Sequence, residues 1–326
     1  YRGFKSHPFR HLGKRRNVSP QSDDKELILV TGIGGFIGSA LAQRLLAEGH
    51  RVVGVDDFSS GKQSNVPPAA SLIEADLAEQ STIAKLPESV AAILHLAGQS
   101  SGEMSFDDPV ADLEKNTVST LRLSEYAALS TPTRIIYASS MSVYGDSGQK
   151  AVREETEVAP LSCYGVSKST AEHYLRTFGK RTPFVVMRMF NVYGPGQDMA
   201  NLRQGMVSIF LAQALASRRI VVKGSLRCFR DFIYVDDVVE AWVRVLHRDA
   251  IQNVTLNVGT GVRTEVGDLL HLIQSLVPGT EIQVTENTPG DQFGIFADTT
   301  KMSELLGLST FVGLEEGLQR FIRAIA

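Results

Sequence analysis

Two cysteines in 326 residues, Cys163 and Cys228, are too few for a disulfide framework to carry the fold. Long apolar runs are equally scarce: none approaches the ~20 residues that span a bilayer, and none near the start resembles the core of a secretory leader. The expectation is a cytoplasmic chain with no membrane contact. An excess of one charge is missing too, because 33 Lys and Arg against 36 Asp and Glu leave a net charge of -3 and no general pull toward nucleic acid. The seven histidines show no metal-site spacing, so no metal is implied. Cys163 has no visible His or other base partner and reads as a packing residue rather than a catalytic thiol. No internal repeat or low-complexity linker interrupts the chain. What is present is an ordinary globular composition, 43% hydrophobic and 21% charged, long enough for a doubly wound domain with a smaller one appended.

The most informative stretch is Tyr164-Gly-Val-Ser-Lys168, which sets a phenol and an ammonium four residues apart on one helix face. A neighbouring cation favours the phenolate, so the Tyr164 pKa, ordinarily about 10, is expected to fall toward neutrality and equip it for proton exchange. The spacing also arises by chance on solvated helices, and three other segments give it meaning. The apolar run from Leu27 meets Gly32, Gly35 and Gly38, three apart, before the amphipathic stretch 39–48. Such glycines suit a tight turn, close approach of backbone N–H groups to a pyrophosphate, and helix packing on a strand. A second strand ends in Asp56 and Asp57, placed to bind ribose hydroxyls and repel a 2′-phosphate, which favours NAD over NADP. Asp76, after the apolar stretch 71–75, reads either as a contact to the adenine edge or as a helix N-cap. The third segment is the strand from Arg134 to Ser140, whose terminal hydroxyl faces the crevice where open α/β sheets bind ligands.

Strand-like runs at 27–30, 52–55, 92–96, 134–138 and 184–188 alternate with helical stretches, which predicts an α/β fold: a Rossmann-type, doubly wound parallel sheet. Beyond about 195 the elements shorten and turns multiply, as in a smaller, mixed α/β C-terminal substrate lobe. There 206–216 reads as helix, 219–223 as strand, and 235–247 as a helix opened by Asp236 or Asp237. The expected organisation is a basic, flexible extension over 1–25, a nucleotide domain over 26–194 with segments of about 225–260 interleaved, and a substrate lobe over most of 195–326.

Taken together, Thr31 to Gly38, Asp56, Ser140, Tyr164 and Lys168 resemble the extended short-chain dehydrogenase/reductase family, in particular its NAD-dependent nucleotide-sugar epimerases and dehydratases. Further family-like segments appear in order: His95-Leu-Ala-Gly98, Asn116-Thr117, Val143-Tyr-Gly145, Asn191-Val-Tyr-Gly-Pro195, the run from Arg230 to Asp237, and Pro289-Gly-Asp291. The resemblance implies that a bound NAD takes a hydride from a sugar carbon and returns it to the opposite face of the ketone. Ser140, Tyr164 and Lys168 would be catalytic. NAD would be held by Gly32, Gly35, Phe36, Ile37, Gly38, Asp56, Asp57, Ser60, Gly61, Asp76, Leu77, Leu96, Ala97, Gly98, Gln99 and Asn116, together with Tyr164 and Lys168. The nucleotide diphosphate-sugar, a UDP-sugar first, would meet Ser100, Ser140, Ser142, Asn191, Gln204, Arg230, Asp291 and Ile295, with Arg230 the principal anchor or else ion-paired with Asp231 or Asp237.

Within that family, sugar 4,6-dehydratases carry Asp-Glu directly after the hydroxyl residue; here those positions are Met141 and Ser142. Decarboxylating relatives use an acid near the same place, so Ser142 counts against them as well. The leading expectation is therefore a UDP-sugar 4-epimerase of the glucose/galactose or glucuronate/galacturonate type. The alternatives are a CDP-sugar 2-epimerase, a 4-keto reductase or a dehydratase on the same scaffold, or a catalytically silent NAD(H)-binding sensor. Thr288 stands where many 4-epimerases hold the diphosphate with Arg, and Arg227 is a candidate substitute. Gly196 replaces another frequent Arg, and Ile295 is the expected limit on substituent size. A homodimer through helices 118–129 and 164–177 is implied, with Leu121, Leu123, Tyr126, Ala171 and Leu175 as contacts unless they only cover the sheet.

Overall fold

The computed structural model describes residues 26–285 and 293–325; the basic extension expected over 1–25 lies outside the described residues. In chain order the first half forms β1 (Leu27–Thr31), α1 (Phe36–Ala47), β2 (Arg51–Asp56), β3 (Ser71–Glu74), α2 (Gln80–Ile83), β4 (Ala92–His95), α3 (Pro109–Leu113), α4 (Ser119–Ser130), β5 (Ile135–Ser140), α5 (Cys163–Phe178) and β6 (Phe184–Met189). The second half forms β7 (Asn191–Tyr193), α6 (Met206–Ser217), β8 (Arg219–Lys223), β9 (Phe229–Arg230), β10 (Phe232–Tyr234), α7 (Val235–Leu246), β11 (Val254–Val258), β12 (Thr264–Glu265), α8 (Val266–Leu276), β13 (Glu281–Thr285), α9 (Thr300–Leu306) and α10 (Leu314–Ile325).

Seven strands build one wholly parallel sheet in the order β11-β6-β5-β4-β1-β2-β3. The order reverses between β1 and β4, and the carboxyl ends there open a crevice for ligand. Both faces are covered, so each strand divides its apolar residues at a period of two. Ile28, Val30, Leu94, Ile136 and Met187 join the core under α1 and α7, whereas Leu29, Ile93, Tyr137 and Val186 join the one under α4 and α5. β11 is a member that no apolar run announced, because its centre carries Thr255 and Asn257. Asn257 tolerates full burial by accepting from the Tyr144 hydroxyl at 2.6 Å and donating to Val152 O at 2.8 Å.

The later segments make a smaller layer beside this sheet. β8 pairs with β13, α6 packs on β8 and α8, and the short pairs β7 with β10 and β9 with β12 lie between the layers in sequence. α7 starts at Val235 with no side-chain cap; Asp236 and Asp237 sit in its first turn, favourable to the helix dipole, and Asp237 accepts from Val312 N at 2.9 Å. Four of the five contacts expected to face a partner face inward instead: Leu123, Tyr126, Ala171 and Leu175 are buried in the core beneath α4 and α5, whereas Leu121 is half-buried. An amphipathic stripe reports that a face is covered, not what covers it.

Helix α5, which carries the Tyr and Lys, is tied to the sheet by a buried charge cluster. Glu172, 1% exposed, accepts from Ser139 Oγ at 2.6 Å and from Arg188 through both oxygens, at 2.9 and 2.7 Å. Arg176 adds a third cationic contact at 2.8 Å. The paired guanidinium groups and the serine more than offset burial and hold Glu172 below the usual carboxylate range. Because removal of one partner strands the other charge in the core, Arg188→Met is expected to cost about 3–5 kcal/mol of stability in urea unfolding. A loss below about 1 kcal/mol, the level of an exposed pair, would show that the cluster is not holding α5.

Candidate active site

β1 delivers Gly32 into the left-handed region, φ +71°, where a side chain is strained. The turn closes with Gly35 N donating to Gly32 O, and α1 starts at Phe36 without a side-chain cap. Its first-turn N–H groups therefore face the adjoining cavity, of about 460 Å³, which Phe36, Ile37 and Gly38 line. A Cβ on Gly38 would stand 2.0 Å from Gly32 O, so backbone alone fits there. Asp56, buried at the end of β2, accepts from Gly34 N and Phe58 N, both at 2.8 Å. Burial pushes its carboxyl above the usual range against those bonds.

Beside it Asp57 accepts from Ser59 and from the Lys115 ammonium, and Asp76 accepts from Ala78 N at 2.9 Å and from Lys115 at 2.7 Å. Burial raises Asp57, but Lys115 and Ser59 outweigh it and leave the carboxyl below the ordinary range. Asp76 is thus not a helix N-cap, since it closes a turn ahead of α2; it shares the Lys115 cation with Asp57 and lines the same cavity. Lys115 is a site residue that sequence reasoning missed: it reaches Asp57 across 58 positions and Asp76 across 39, with no local spacing to announce it. It lies in a π-turn, Glu114–Val118, joining α3 to α4.

Ser60, Gly61, Leu77, Leu96, Ala97 and Gly98 also line this cavity. Leu96 and Ala97 are held by their N–H groups on Thr31 Oγ1, at 3.2 and 3.1 Å. With both acceptances on Thr31, its hydroxyl proton points at His95 Nδ1, 2.8 Å away, and His95 Nε2 donates to Thr120 Oγ1 at 2.9 Å. The hydrogen-bond pattern so assigns the proton to Nε2, and burial, lowering His95 to about 3, keeps the ring neutral. Two expected cofactor residues stand behind the wall. Gln99 turns its amide onto the Ser101 backbone, and buried Asn116 donates to Asp112 while its Oδ1, unpartnered, lies against Gly98.

Tyr164 lines this cavity and a second, of about 470 Å³, and so stands where the two meet. Ser140, Ser142, Asn191, Arg230, Ser100 and Gln204 line the second cavity. Ser142 N donates to Ser140 Oγ at 3.2 Å, which orients that hydroxyl at the end of β5. Lys168 Nζ donates to Ala138 O at 3.0 Å and lies 5.8 Å from the centre of the Tyr164 ring. The structure corrects the expected fall in the Tyr164 pKa. Burial pushes the phenol up to about 12 against a hydrogen bond from Ser140, and burial lowers Lys168 to about 8. With both side chains withdrawn from water, desolvation of each charged form outweighs the mutual attraction that spacing suggested.

Arg230 is buried, with Nη1 donating to Phe229 O at 2.8 Å and Phe293 O at 3.3 Å. Asp231 accepts from the backbone of Thr260, Gly261 and Ala297. Ile295 is a correction: its N–H bonds to Phe229 O, its side chain packs with Val143, Tyr144, Val152 and Phe190, and it lines neither cavity. Arg227 is exposed and also outside both, while Asp291 and Thr288 lie outside the described residues. Sequence reasoning also passed over Arg203 and Lys223, partly exposed cations on the second cavity that share Glu103 at 3.3 and 3.5 Å.

A glycine-lined cavity at the switch point of a parallel sheet, joined through a tyrosine to a second cavity lined by hydroxyls, an amide and an arginine, defines a dinucleotide-dependent enzyme. Residues 28–259 match the NAD dependent epimerase/dehydratase family, and the chain belongs to it. It is similar to the UDP-glucose 4-epimerase of Mycolicibacterium smegmatis, 37% identical over 90% of this chain and 96% of that one. It is also similar to UDP-glucuronic acid decarboxylase 1 of Xenopus tropicalis, 32% identical over 92% of this chain and 72% of that one. Among solved structures, that of UDP-glucose 4-epimerase with UDP-glucose from Thermotoga maritima has a TM-score of 0.87 at 32% identity, covering 92% of this chain and 98% of that one. Among the described residues no helix is long and apolar enough to cross a membrane.

The collision at Gly38 makes a direct check. Gly38→Ala is expected to weaken NAD binding at least about tenfold, or 1.4 kcal/mol, in a fluorescence titration. Unaltered affinity would mean that the loop does not require backbone at this point.

Proposed function

We propose that the protein is a UDP-sugar 4-epimerase, of the glucose/galactose or glucuronate/galacturonate type, holding NAD in the first cavity and the sugar in the second. The observation that carries this reading is Tyr164 at the junction of the cavities, with Ser140 beside it on the second and no carboxylate on the adjacent Met141 and Ser142. NAD, when bound, supplies reversible hydride acceptance. Phe36, Ile37 and Gly38 would bring their N–H groups to the pyrophosphate, and Asp56 or Asp57 the ribose hydroxyls. Tyr164 accepts the proton of the sugar's C4 hydroxyl as the C4 hydride leaves, then returns it when hydride comes back to the other face of the ketone. Ser140 bonds the same oxygen and keeps it within reach of the phenol. Lys168, a buried cation one helical turn away, favours the phenolate that this step needs.

Elimination of water and decarboxylation each call for further proton carriers beside Ser140, and Met141 and Ser142 offer no acid there. The UDP nucleotide is supported by the named relatives, and Arg230 in the second cavity suits a diphosphate. The same reading includes a homodimer and a cytoplasmic location. Leu129 on α4 and Val166 and Tyr174 on α5 leave apolar surface exposed on the helices expected to pair, and both cysteines are free.

Incubation with UDP-glucose, UDP-glucuronate and other nucleotide sugars, followed by mass spectrometry and chromatography, should yield a product of unchanged mass and altered retention. Loss of water or carbon dioxide would contradict the reading. Tyr164→Phe should keep bound NAD and lose about 10²–10⁴-fold in turnover; near-normal rates would remove Tyr164 from the mechanism.

The pH profile follows from the same pair. Proton acceptance by Tyr164 requires its deprotonated form, so kcat/KM should rise with pH until that form dominates. Lys168→Met removes the cation favouring phenolate and should move this limb upward by about one pH unit or more. A limb that stays put or moves down would exclude Lys168 from electrostatic support.

A further inference from the structure

Away from both cavities, the C-terminal ends of two packed helices bring three metal-ligating side chains together. Glu48 caps the C-terminus of α1 and His247 that of α7, the two helices pack against one another, and His50 follows Glu48 by two residues just ahead of β2. His247 Nε2 lies 3.0 Å from Glu48 Oε2, and the rings of His50 and His247 stack with centres 5.5 Å apart and planes inclined by 25°. One ligand atom from each of the three residues lies within 4.8 Å of the others. All three retain access to solvent.

The surroundings suit a cation. Two helix C-termini converge here, and each carries partial negative charge on its unpaired carbonyls. Arg44 Nε holds the other oxygen of Glu48 at 2.5 Å, and Arg44 Nη2 is itself drawn to Glu240 at 3.0 Å, so Glu48 Oε2 is left directed toward His247. Two imidazoles and one carboxylate form a donor set for zinc-like ions rather than for magnesium or calcium, which prefer all-oxygen shells. A tetrahedral shell with bonds of 2.0–2.1 Å puts ligand atoms about 3.4 Å apart, so exposed side chains need to close by only about 1.4 Å.

We propose that Glu48, His50 and His247 form a binding site for a divalent zinc-like ion, completed by water, that fastens the end of α1 to the end of α7. The spacing of the histidines gave no sign of it, because His247 joins Glu48 across 199 positions. α1 opens on the glycine turn and α7 belongs to the later part of the chain, so a bound ion would brace two segments distant in sequence.

The test is calorimetric titration of the chelator-treated protein with zinc alone, beside His50→Ala, His247→Ala and the double variant. The proposal expects one equivalent bound by the parent protein, at least about tenfold weaker in either single variant, and lost in the double variant. Zinc at about 100 times its Kd should raise the parent Tm by about 5 °C and leave that of the double variant unmoved. With the side chains largely at the surface, the metal-free Tm of all four proteins should agree. No binding by the parent would overturn the proposal. So would equal binding by the double variant, which assigns the ion to histidines elsewhere, such as His7 and His11.

Discussion

The reacting end of the molecule depends on where α5 sits against β5 and β6, and that is set by Glu172. It follows Lys168 by one helical turn and Tyr164 by two, so the carboxylate bonded to Arg188 lies on the same side of the helix as both. Its bond to Ser139 fixes the residue next to Ser140. Phenol, ammonium and hydroxyl, drawn from two elements, are thereby brought to one place by a charge pair that never touches a ligand. Such a pair gains little for stability compared with apolar packing, but it tolerates only one register.

The same placement explains why the active site holds its ionisable groups so far from their ordinary behaviour. Tyr164 and Lys168 are both withdrawn from water, and each is pushed toward its neutral form. Protein alone therefore keeps the phenol protonated. An oxidised nicotinamide ring is positively charged, and a cation beside the phenol shifts its balance toward phenolate. On the proposed reading, the site would become basic when NAD is bound.

Much of the fold and part of the site were legible because their chemistry is local. Gly32, Gly35 and Gly38 lie close together in one glycine-rich turn and Tyr164 and Lys168 on one helix, and the segments around them give each spacing its meaning. Residues defined by tertiary contact were not legible. Lys115 gains its partners from two distant loops, and Gln99 and Asn116 stand behind the cavity wall because their amides satisfy neighbours. Ile295 is turned inward by a backbone bond to Phe229. Leu123 and Leu175 belong to amphipathic helices whose sequence cannot say whether sheet or partner covers them. β11 escaped notice because Asn257 is polar by composition and satisfied only in the fold.

The central claim, that hydride leaves C4 of a sugar and returns to it within one protein, is tested most directly with UDP-glucose deuterated at C4. The account predicts a C4 epimer that retains the deuterium at C4 in full, with no net change in the nicotinamide and no exchange with solvent. Loss of the label to water, or steady consumption of NADH, would contradict it.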